Sequence, residues 1–417
     1  MKIRLEIKIL KNMPIIYWLL LLFVPVEAIS GMMANFSMGT INIIGYSYRG
    51  IIIIYYLRKF LKRTYVKFAL MTALVLFGVI CNGIIRQYGD FSGDILMFIR
   101  LLYFESLCLG IADDVLIGRL NIDNIEDILN KSAYIIIGIY ALSIAFGSGL
   151  TSYADSGAGY KAFFNSINSL TCVLIVLSCF QLYLFLENNK KIHIALYLVL
   201  TSFLFLLGSK SGIFFWGIYL LFSLWPQLSM KYIKRIAFII IFIPIGAYVF
   251  LNKFSTQFQD IIQRLMYFQS TSKNNLQFLL SGRNSLFVYA LNEFNQNLHI
   301  FDIVFGKGAS NMQMLIGHIS NWGMLKNVEM DIFDIFFFYG VLGVMITYWL
   351  VVYFYKNSFK RGFDGKKVLF WICIVFSILG GHIFMDSFGS TILSLIVGLN
   401  LNVNLERQYK SERYSGK

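Results

Sequence analysis

Long apolar stretches recur along almost the whole chain, and their length predicts helices that cross a membrane. Each stretch holds about 20 mostly apolar residues, which is the length that a helix needs to span the hydrocarbon core of a bilayer. A long polar segment, residues 252–330, separates the ninth stretch from the tenth. The twelve predicted stretches lie near residues 14–33, 41–57, 66–85, 94–112, 133–150, 166–186, 192–208, 211–228, 232–251, 331–355, 367–387 and 388–403.

This pattern divides the chain into four parts. We predict an N-terminal bundle of about nine helices (1–251), an extracytoplasmic loop (252–330), about three more membrane helices (331–403) and a cytoplasmic tail (404–417). The composition agrees, because a chain with 58% hydrophobic and 14% charged residues cannot bury its apolar surface in one soluble core. The predicted fold class is an all-α polytopic membrane protein.

Lysine and arginine predict the orientation of the chain. Most of the 36 residues of these two types fall in the N-terminal segment, in alternate loops and in the C-terminal tail. Because cationic loops stay on the cytoplasmic side of a membrane, both termini are predicted to be cytoplasmic and residues 252–330 to face outward. The net charge of +14 follows from this asymmetry and implies no nucleic-acid partner.

The polar segment is predicted to contain two amphipathic helices. The first carries Phe258, Ile261, Ile262 and Leu265 on one face, which suits a helix that lies on the bilayer surface. The second is predicted to begin after Ser281-Gly282. Its buried stripe would consist of Phe287, Ala290, Leu291, Phe294 and Leu298.

Arg283 would lie in the first turn of that second helix. A helix start offers free backbone N–H groups, and a guanidinium beside them adds a bidentate donor for phosphate oxygens. The alternative is a surface arginine paired with a lipid phosphate. Further along, the glycines of Phe305-Gly306-Lys307-Gly308 permit a tight turn and a close approach of the backbone to a ligand, although most turns of this composition are only turns.

Three carboxylates lie at the entrance to the tenth stretch, namely Glu329, Asp331 and Asp334. Asp331 and Asp334 share a helix face, and Glu329 lies just outside the helix. Carboxylates at the mouth of an apolar helix are costly unless they are solvated, paired or functional. Helix capping by Asp331 is the alternative explanation, but the group is larger than a cap requires.

Other polar residues converge on the same predicted outer side. Lys210 lies between the seventh and eighth stretches, Arg86 ends the third, and His382 and Asp386 share one face near the end of the eleventh. Each alone is equally well explained by snorkelling or ion pairing, but together they predict a cavity lined by cations and carboxylates. Four deeper charges are interpreted as interhelical pairs, namely Glu27, Arg49, Arg100 and Glu105. The histidines show no metal-ligand spacing, so neither a metal nor a cofactor is predicted.

The order of these motifs resembles that of bacterial O-antigen and capsular polysaccharide polymerases of the Wzy type, and more distantly that of O-antigen ligases. Ligases begin the last of the shared motifs with His-Asn, whereas this chain has Glu329-Met330-Asp331, which favours a polymerase. The shared motifs are Ser209-Lys210-Ser211, Ser281-Gly282-Arg283, the turn Phe305 to Gly308, and the helix start that runs from Glu329 into Gly340-Val341-Leu342-Gly343.

This resemblance implies a metal-independent, inverting glycosyltransferase of the GT-C-like class in the bacterial cytoplasmic membrane. Its substrate would be a polyprenyl-pyrophosphate-linked oligosaccharide, and chain-length control would require a partner protein. The pyrophosphate leaving group would be stabilised by cations, namely Arg283, Lys210, Arg86 and Lys307. Glu329 or Asp331 would be the general base, with Asp334, His382 and Asp386 as secondary candidates.

Two other functions stay open at this point. A ligase would transfer the finished glycan from the same lipid carrier to another acceptor. A flippase or transporter would use the cationic cavity to pass the anionic head of the lipid. The length of the outer loop disfavours a transporter, and a purely structural protein would leave the charged residues unexplained.

Overall fold

Helices make up 80% of the residues described in the computed structural model of this chain, in agreement with the predicted all-α class. Residues 1–12, the ninth predicted stretch (232–251) and the tail (404–417) lie outside the described residues. The structure describes residues 13–36, 43–60, 62, 65–153, 157–224, 255–272, 274–319, 325–359 and 364–402.

The helices and strands follow one another in a simple order. Those of the first half are α1 (Ile15–Leu21), α2 (Phe23–Phe36), α3 (Ile43–Phe60), α4 (Val66–Ile80) with a π-helical turn (Cys81–Ile85), α5 (Phe91–Leu116), α6 (Ile122–Ala145), β1 (Thr151–Tyr153), β2 (Ala158–Tyr160), α7 (Ile167–Asn188), α8 (Lys191–Leu207) and α9 (Lys210–Leu224). Those of the second half are α10 (Ser255–Thr271), α11 (Asn275–Leu279), α12 (Arg283–Asn295), α13 (Ile300–Phe305), α14 (Ala309–Ile319), α15 (Asp331–Ser358), α16 (Gly365–Leu379) and α17 (Ser387–Asn400).

Five of the described helices are long and apolar enough to cross a membrane. They are α4 with its π-helical turn, α5, α6, α7 and most of α15. A sixth span results if α1 and α2, which meet at an angle of 42°, are counted as one. α8, α9 and α17 are apolar but shorter. These helices support a membrane protein, whereas the count of twelve spans stays a prediction.

The core lies where α5, α7 and α17 pack together. Every residue of α17 is buried, and the most apolar part of α7 is 94% buried. Hydroxyl groups add polar contacts between these helices, as where Tyr103 Oη and Thr391 Oγ1 lie 2.8 Å apart. Because α7 is covered on all sides, its sequence is apolar nearly all round and shows no amphipathic pattern.

Several predicted boundaries were wrong because hydropathy does not register caps and buried ion pairs. α5 continues past residue 112 to Leu116, since Asp113 and Asp114 are buried beside Lys59 and Lys62. α16 ends at Leu379 and not at residue 387. His382 and Asp386 therefore lie in the loop 380–386, and the prediction that they share a helix face is wrong.

The polar segment forms both predicted amphipathic helices. In α10, Ile261 is buried, whereas Ile262 and Met266 are more than half exposed, as a helix at a bilayer surface requires. α12 begins at Arg283, and its Ala290 and Phe294 are buried. The helix ends at Asn295, so the assignment of Leu298 to its buried stripe is wrong.

Two glycines allow a backbone crossing beside α12. Gly306 has φ 75° and Gly340, inside α15, has φ 67° and ψ −162°. A Cβ at Gly306 would lie 2.3 Å from the Phe338 carbonyl carbon, and one at Gly340 would lie 2.3 Å from that of Val304. The turn therefore approaches the backbone of α15 closely, whereas the predicted approach to a ligand stays a prediction.

Replacing Gly340 by alanine should destabilise the fold. The backbone conformation is accessible essentially only to glycine, and strain of this kind costs about 1–3 kcal/mol before the overlap with Val304 is added. We expect a lower midpoint of thermal unfolding in detergent for Gly340→Ala. Gly217→Ala is the matched control, since a Cβ there meets nothing within 4 Å. Equal midpoints for the two variants would contradict the crossing.

Candidate functional site

Arg283 and Glu329 form the centre of a charged site at the start of α15. Arg283 is buried and is the first residue of α12, after Ser281 and Gly282, which both have positive φ. Its Nη2 lies 3.3 Å from Glu329 Oε2 and donates to Asn168 Oδ1 at 3.3 Å. These contacts join α12, the start of α7 and the residues before α15.

Glu329 is held ionised by two cations. Lys326 Nζ lies 2.6 Å from Glu329 Oε1, on the side opposite Arg283. Burial raises the pKa of Glu329, but the positive charges of Lys326 and Arg283 outweigh burial and lower that pKa to about 2. In this arrangement Glu329 is a carboxylate at all physiological pH values and a weak proton acceptor.

Asp331 binds the loop 380–386. Its Oδ2 accepts the backbone N–H groups of Ile383 at 2.6 Å and of Phe384 at 2.9 Å, and its Oδ1 lies 3.0 Å from His382 Nδ1. Asp331 is fully buried. Both oxygens are engaged with this one loop, so the side chain positions the loop and is poorly placed to accept a substrate proton.

Asp334 closes the turn that precedes α15. Its carboxylate accepts the backbone N–H groups of Val328 at 2.9 Å, Glu329 at 2.9 Å and Met330 at 3.3 Å. Asp334 thus reaches back to residues that precede the helix, and the capping role considered for Asp331 is not observed, since its oxygens bind the loop 380–386. Within this turn Glu329 has a positive φ of 66°.

His382 is the third cation beside these carboxylates. Burial would lower the pKa of His382, but the hydrogen bond to Asp331 and the charges of Asp331, Asp334 and Glu329 prevail and raise it to about 9. Its Nε2 lies 3.2 Å from the side-chain amide of Asn327, which must present its oxygen to the ring when Nε2 carries a proton. At neutral pH this pKa makes the ring of His382 an imidazolium, which is partly buried and faces the three carboxylates.

Lys210 and Arg264 add positive charge near Arg283. Lys210 Nζ donates to the Phe278 carbonyl oxygen at 2.6 Å, and the guanidinium of Arg264 stacks 3.2 Å from the ring centroid of Tyr153. Burial raises the pKa of Tyr153, and the charges of Arg264 and Arg283 act against that rise. Arg264 was missed in the sequence, where it is one polar residue on an amphipathic helix and its neighbour Tyr153 is distant.

Arg86 and Lys307 belong to a separate group. Arg86 forms an ion pair with the buried Asp302 and donates to Tyr88 Oη at 2.9 Å. Lys307 Nζ donates to the carbonyl oxygen of Gln296 at 2.5 Å, just beyond the end of α12. These partners differ from those of Arg283 and Lys210, so the four predicted cations divide into two groups by their contacts.

Asp386 caps α17. Its Oδ1 accepts the backbone N–H groups of Phe388 at 2.9 Å and Gly389 at 3.4 Å.

The described residues contain no group of three or more potential metal ligands. Neither a scan against protein-family models nor searches of curated proteins and of solved structures found a match to this chain.

The imidazolium of His382 should make stability depend on pH. Its pKa is about 9 in the folded protein, above the ordinary value of 6.5. The stabilisation is therefore complete below about pH 6.5 and is lost as pH rises through 9, up to about 3 kcal/mol. Thermal midpoints measured from pH 6 to 10 should fall in the parent protein, and this step should be missing in His382→Asn.

His318→Asn is the matched control for this experiment, since His318 is an exposed histidine. It should keep the step. A pH profile of His382→Asn that superimposes on that of the parent protein would overturn the assignment of a charged His382.

Proposed function

We propose that this chain is a polymerase of the Wzy type, which joins polyprenyl-pyrophosphate-linked oligosaccharide repeats into an O-antigen, capsular or exopolysaccharide. In this proposal it is a metal-independent, inverting glycosyltransferase with twelve spans, cytoplasmic termini and residues 252–330 at the outer face of the cytoplasmic membrane. The observation that carries the proposal is the buried Arg283 at a helix start, paired with Glu329 and close to two further cations.

Arg283 is suited to bind the pyrophosphate. Its Nε has no hydrogen-bond partner among the described residues, and its Nη2 contacts are long for a charge-assisted hydrogen bond. Lys210 and Arg264 lie near Arg283 and add to its positive charge. During the reaction the bond between the anomeric carbon and the pyrophosphate oxygen breaks, and these cations stabilise the charge that develops on the departing oxygen.

Glu329 is the general base in this proposal. The hydroxyl of the second glycan attacks the anomeric carbon and transfers its proton to the carboxylate. In the ion-paired state Glu329 is too weak a base, but a pyrophosphate that draws Arg283 away removes one of the charges that lower the pKa of Glu329. Substrate binding would thus activate the base. Asp331, whose oxygens hold the loop 380–386, has a positioning role.

The assay that tests this function uses the purified protein in nanodiscs with one lipid-linked oligosaccharide, without nucleotide sugar or metal. A ladder of multiples on a gel supports polymerisation. Glycosylation of a separate acceptor without a ladder would indicate a ligase. An unchanged band with bound substrate would leave transport of the lipid as the better proposal.

Glu329→Gln and Arg283→Gln should each lower the rate of ladder formation about 100-fold or more, because one removes the base and the other a transition-state cation. Arg119→Gln is the matched control, since Arg119 is half exposed and its nearest carboxylate, Asp114, is in a different group of charges. Wild-type chain lengths and rates in both site variants would refute these roles.

A further inference from the structure

Glu105 is a carboxyl group buried in the middle of a membrane helix. It is 1% exposed and lies about 20 Å along α5 from the start of that helix, close to its midpoint. Among the described residues, no cation lies within 4.0 Å of its oxygens. The cation of α5 itself, Arg100, donates to Tyr46 Oη on α3 at 3.4 Å. For the described part of the chain, the prediction that Glu105 belongs to an interhelical ion pair is therefore wrong.

Thr72, on α4, is the polar partner of this carboxyl group. Its Oγ1 lies 2.6 Å from Glu105 Oε2 and 2.9 Å from the Phe68 carbonyl oxygen. A threonine hydroxyl has one proton to donate, and a carbonyl oxygen can only accept. Both contacts are hydrogen bonds at once only if Glu105 Oε2 carries a proton and donates to Thr72 Oγ1. The hydroxyl of Thr72 then donates to the Phe68 carbonyl oxygen.

An ionised carboxylate does not fit this place. If Thr72 donated to Glu105, its Oγ1 and the Phe68 carbonyl oxygen would lie 2.9 Å apart with no proton between them. An unpaired carboxylate costs several kcal/mol when it is moved out of water, and it is rare inside a bilayer for this reason. The other oxygen, Glu105 Oε1, is buried and has no hydrogen-bond partner among the described residues. On α15 the neighbouring titratable group is the hydroxyl of Tyr339, which supplies no positive charge.

We propose that Glu105 is a proton-binding site inside the bundle, which holds one proton at neutral pH and uses it to bind α4 to α5. The proton completes a chain of hydrogen bonds from Glu105 through the Thr72 hydroxyl to the Phe68 carbonyl oxygen. The π-helical turn that follows α4 contains Asn82, whose Nδ2 donates to the Gly306 carbonyl oxygen at 3.0 Å. The proton therefore helps to fix the helix that supports the crossing at Gly306. This inference does not depend on the proposed function.

Infrared difference spectra of the full chain in nanodiscs test the proton directly, because a carboxylic acid and a carboxylate absorb at different frequencies. At pH 7 the spectrum of the parent protein minus that of Glu105→Gln should show the carbonyl band of a carboxylic acid. Glu126→Gln is the matched control, since Glu126 lies 2.7 Å from Lys366. Its difference spectrum should show carboxylate bands. Carboxylate bands for Glu105 as well would overturn the proposal.

Thermal midpoints in detergent give a second, independent measurement. Glu105→Gln should keep the midpoint of the parent protein, because the amide Nε2 can donate to Thr72 in place of the acid. A large fall in this variant would indicate the loss of a buried ion pair and would overturn the proposal.

Thr72→Val should lower the midpoint, because it leaves the proton of Glu105 without an acceptor. Thr347→Val is the matched control. Thr347 Oγ1 also donates to the carbonyl oxygen four residues earlier, that of Gly343 at 2.8 Å, but it has no hydrogen bond to a carboxyl group among the described residues. The fall should be larger for Thr72→Val, and equal falls would rule out the chain of hydrogen bonds.

Discussion

The carboxylate of Asp331 holds together the parts of the molecule on which the candidate site depends. It joins the first turn of α15 to the loop 380–386 through two backbone N–H groups and the ring of His382. That loop begins where Arg283 donates to the Leu379 carbonyl oxygen at 3.4 Å and ends at Ser387, the partner of Arg49. Since Asp331 has no exposed surface, water does not compete for these bonds.

Ion pairs elsewhere show how the bundle treats a buried charge. Lys59 lies 2.6 Å from Asp114, and Lys366 lies 2.7 Å from Glu126, so each of these cations has a carboxylate in direct contact. Desolvation makes such contact necessary in an apolar environment. Arg49 has a less direct arrangement, because the hydroxyl of Ser387 lies between its guanidinium and the Glu27 carboxylate.

Sequence patterns predicted the features that depend on neighbouring residues. The helical class, both amphipathic helices and the place of Arg283 in a first turn follow from spacing along one segment. Contacts between distant segments leave no such signal, which is why the stacking of Arg264 on Tyr153 was not foreseen. The end of α16 was missed for a different reason: Gly380-Gly381 lies within an apolar run, and hydropathy does not register a turn there.

The non-helical backbone of Gly340 divides α15 into two parts with different packing partners. The half that follows Asp331 is fixed by backbone bonds from Lys307 and Gly308 to the carbonyl oxygens of Phe337 and Phe338. The other half packs on α4, where the rings of Phe68 and Trp349 lie 4.9 Å apart. The close packing of Gly340 on the Val304 backbone fixes the place of the break, so the crossing that positions the charged groups also sets where the part of α15 that packs on α4 begins.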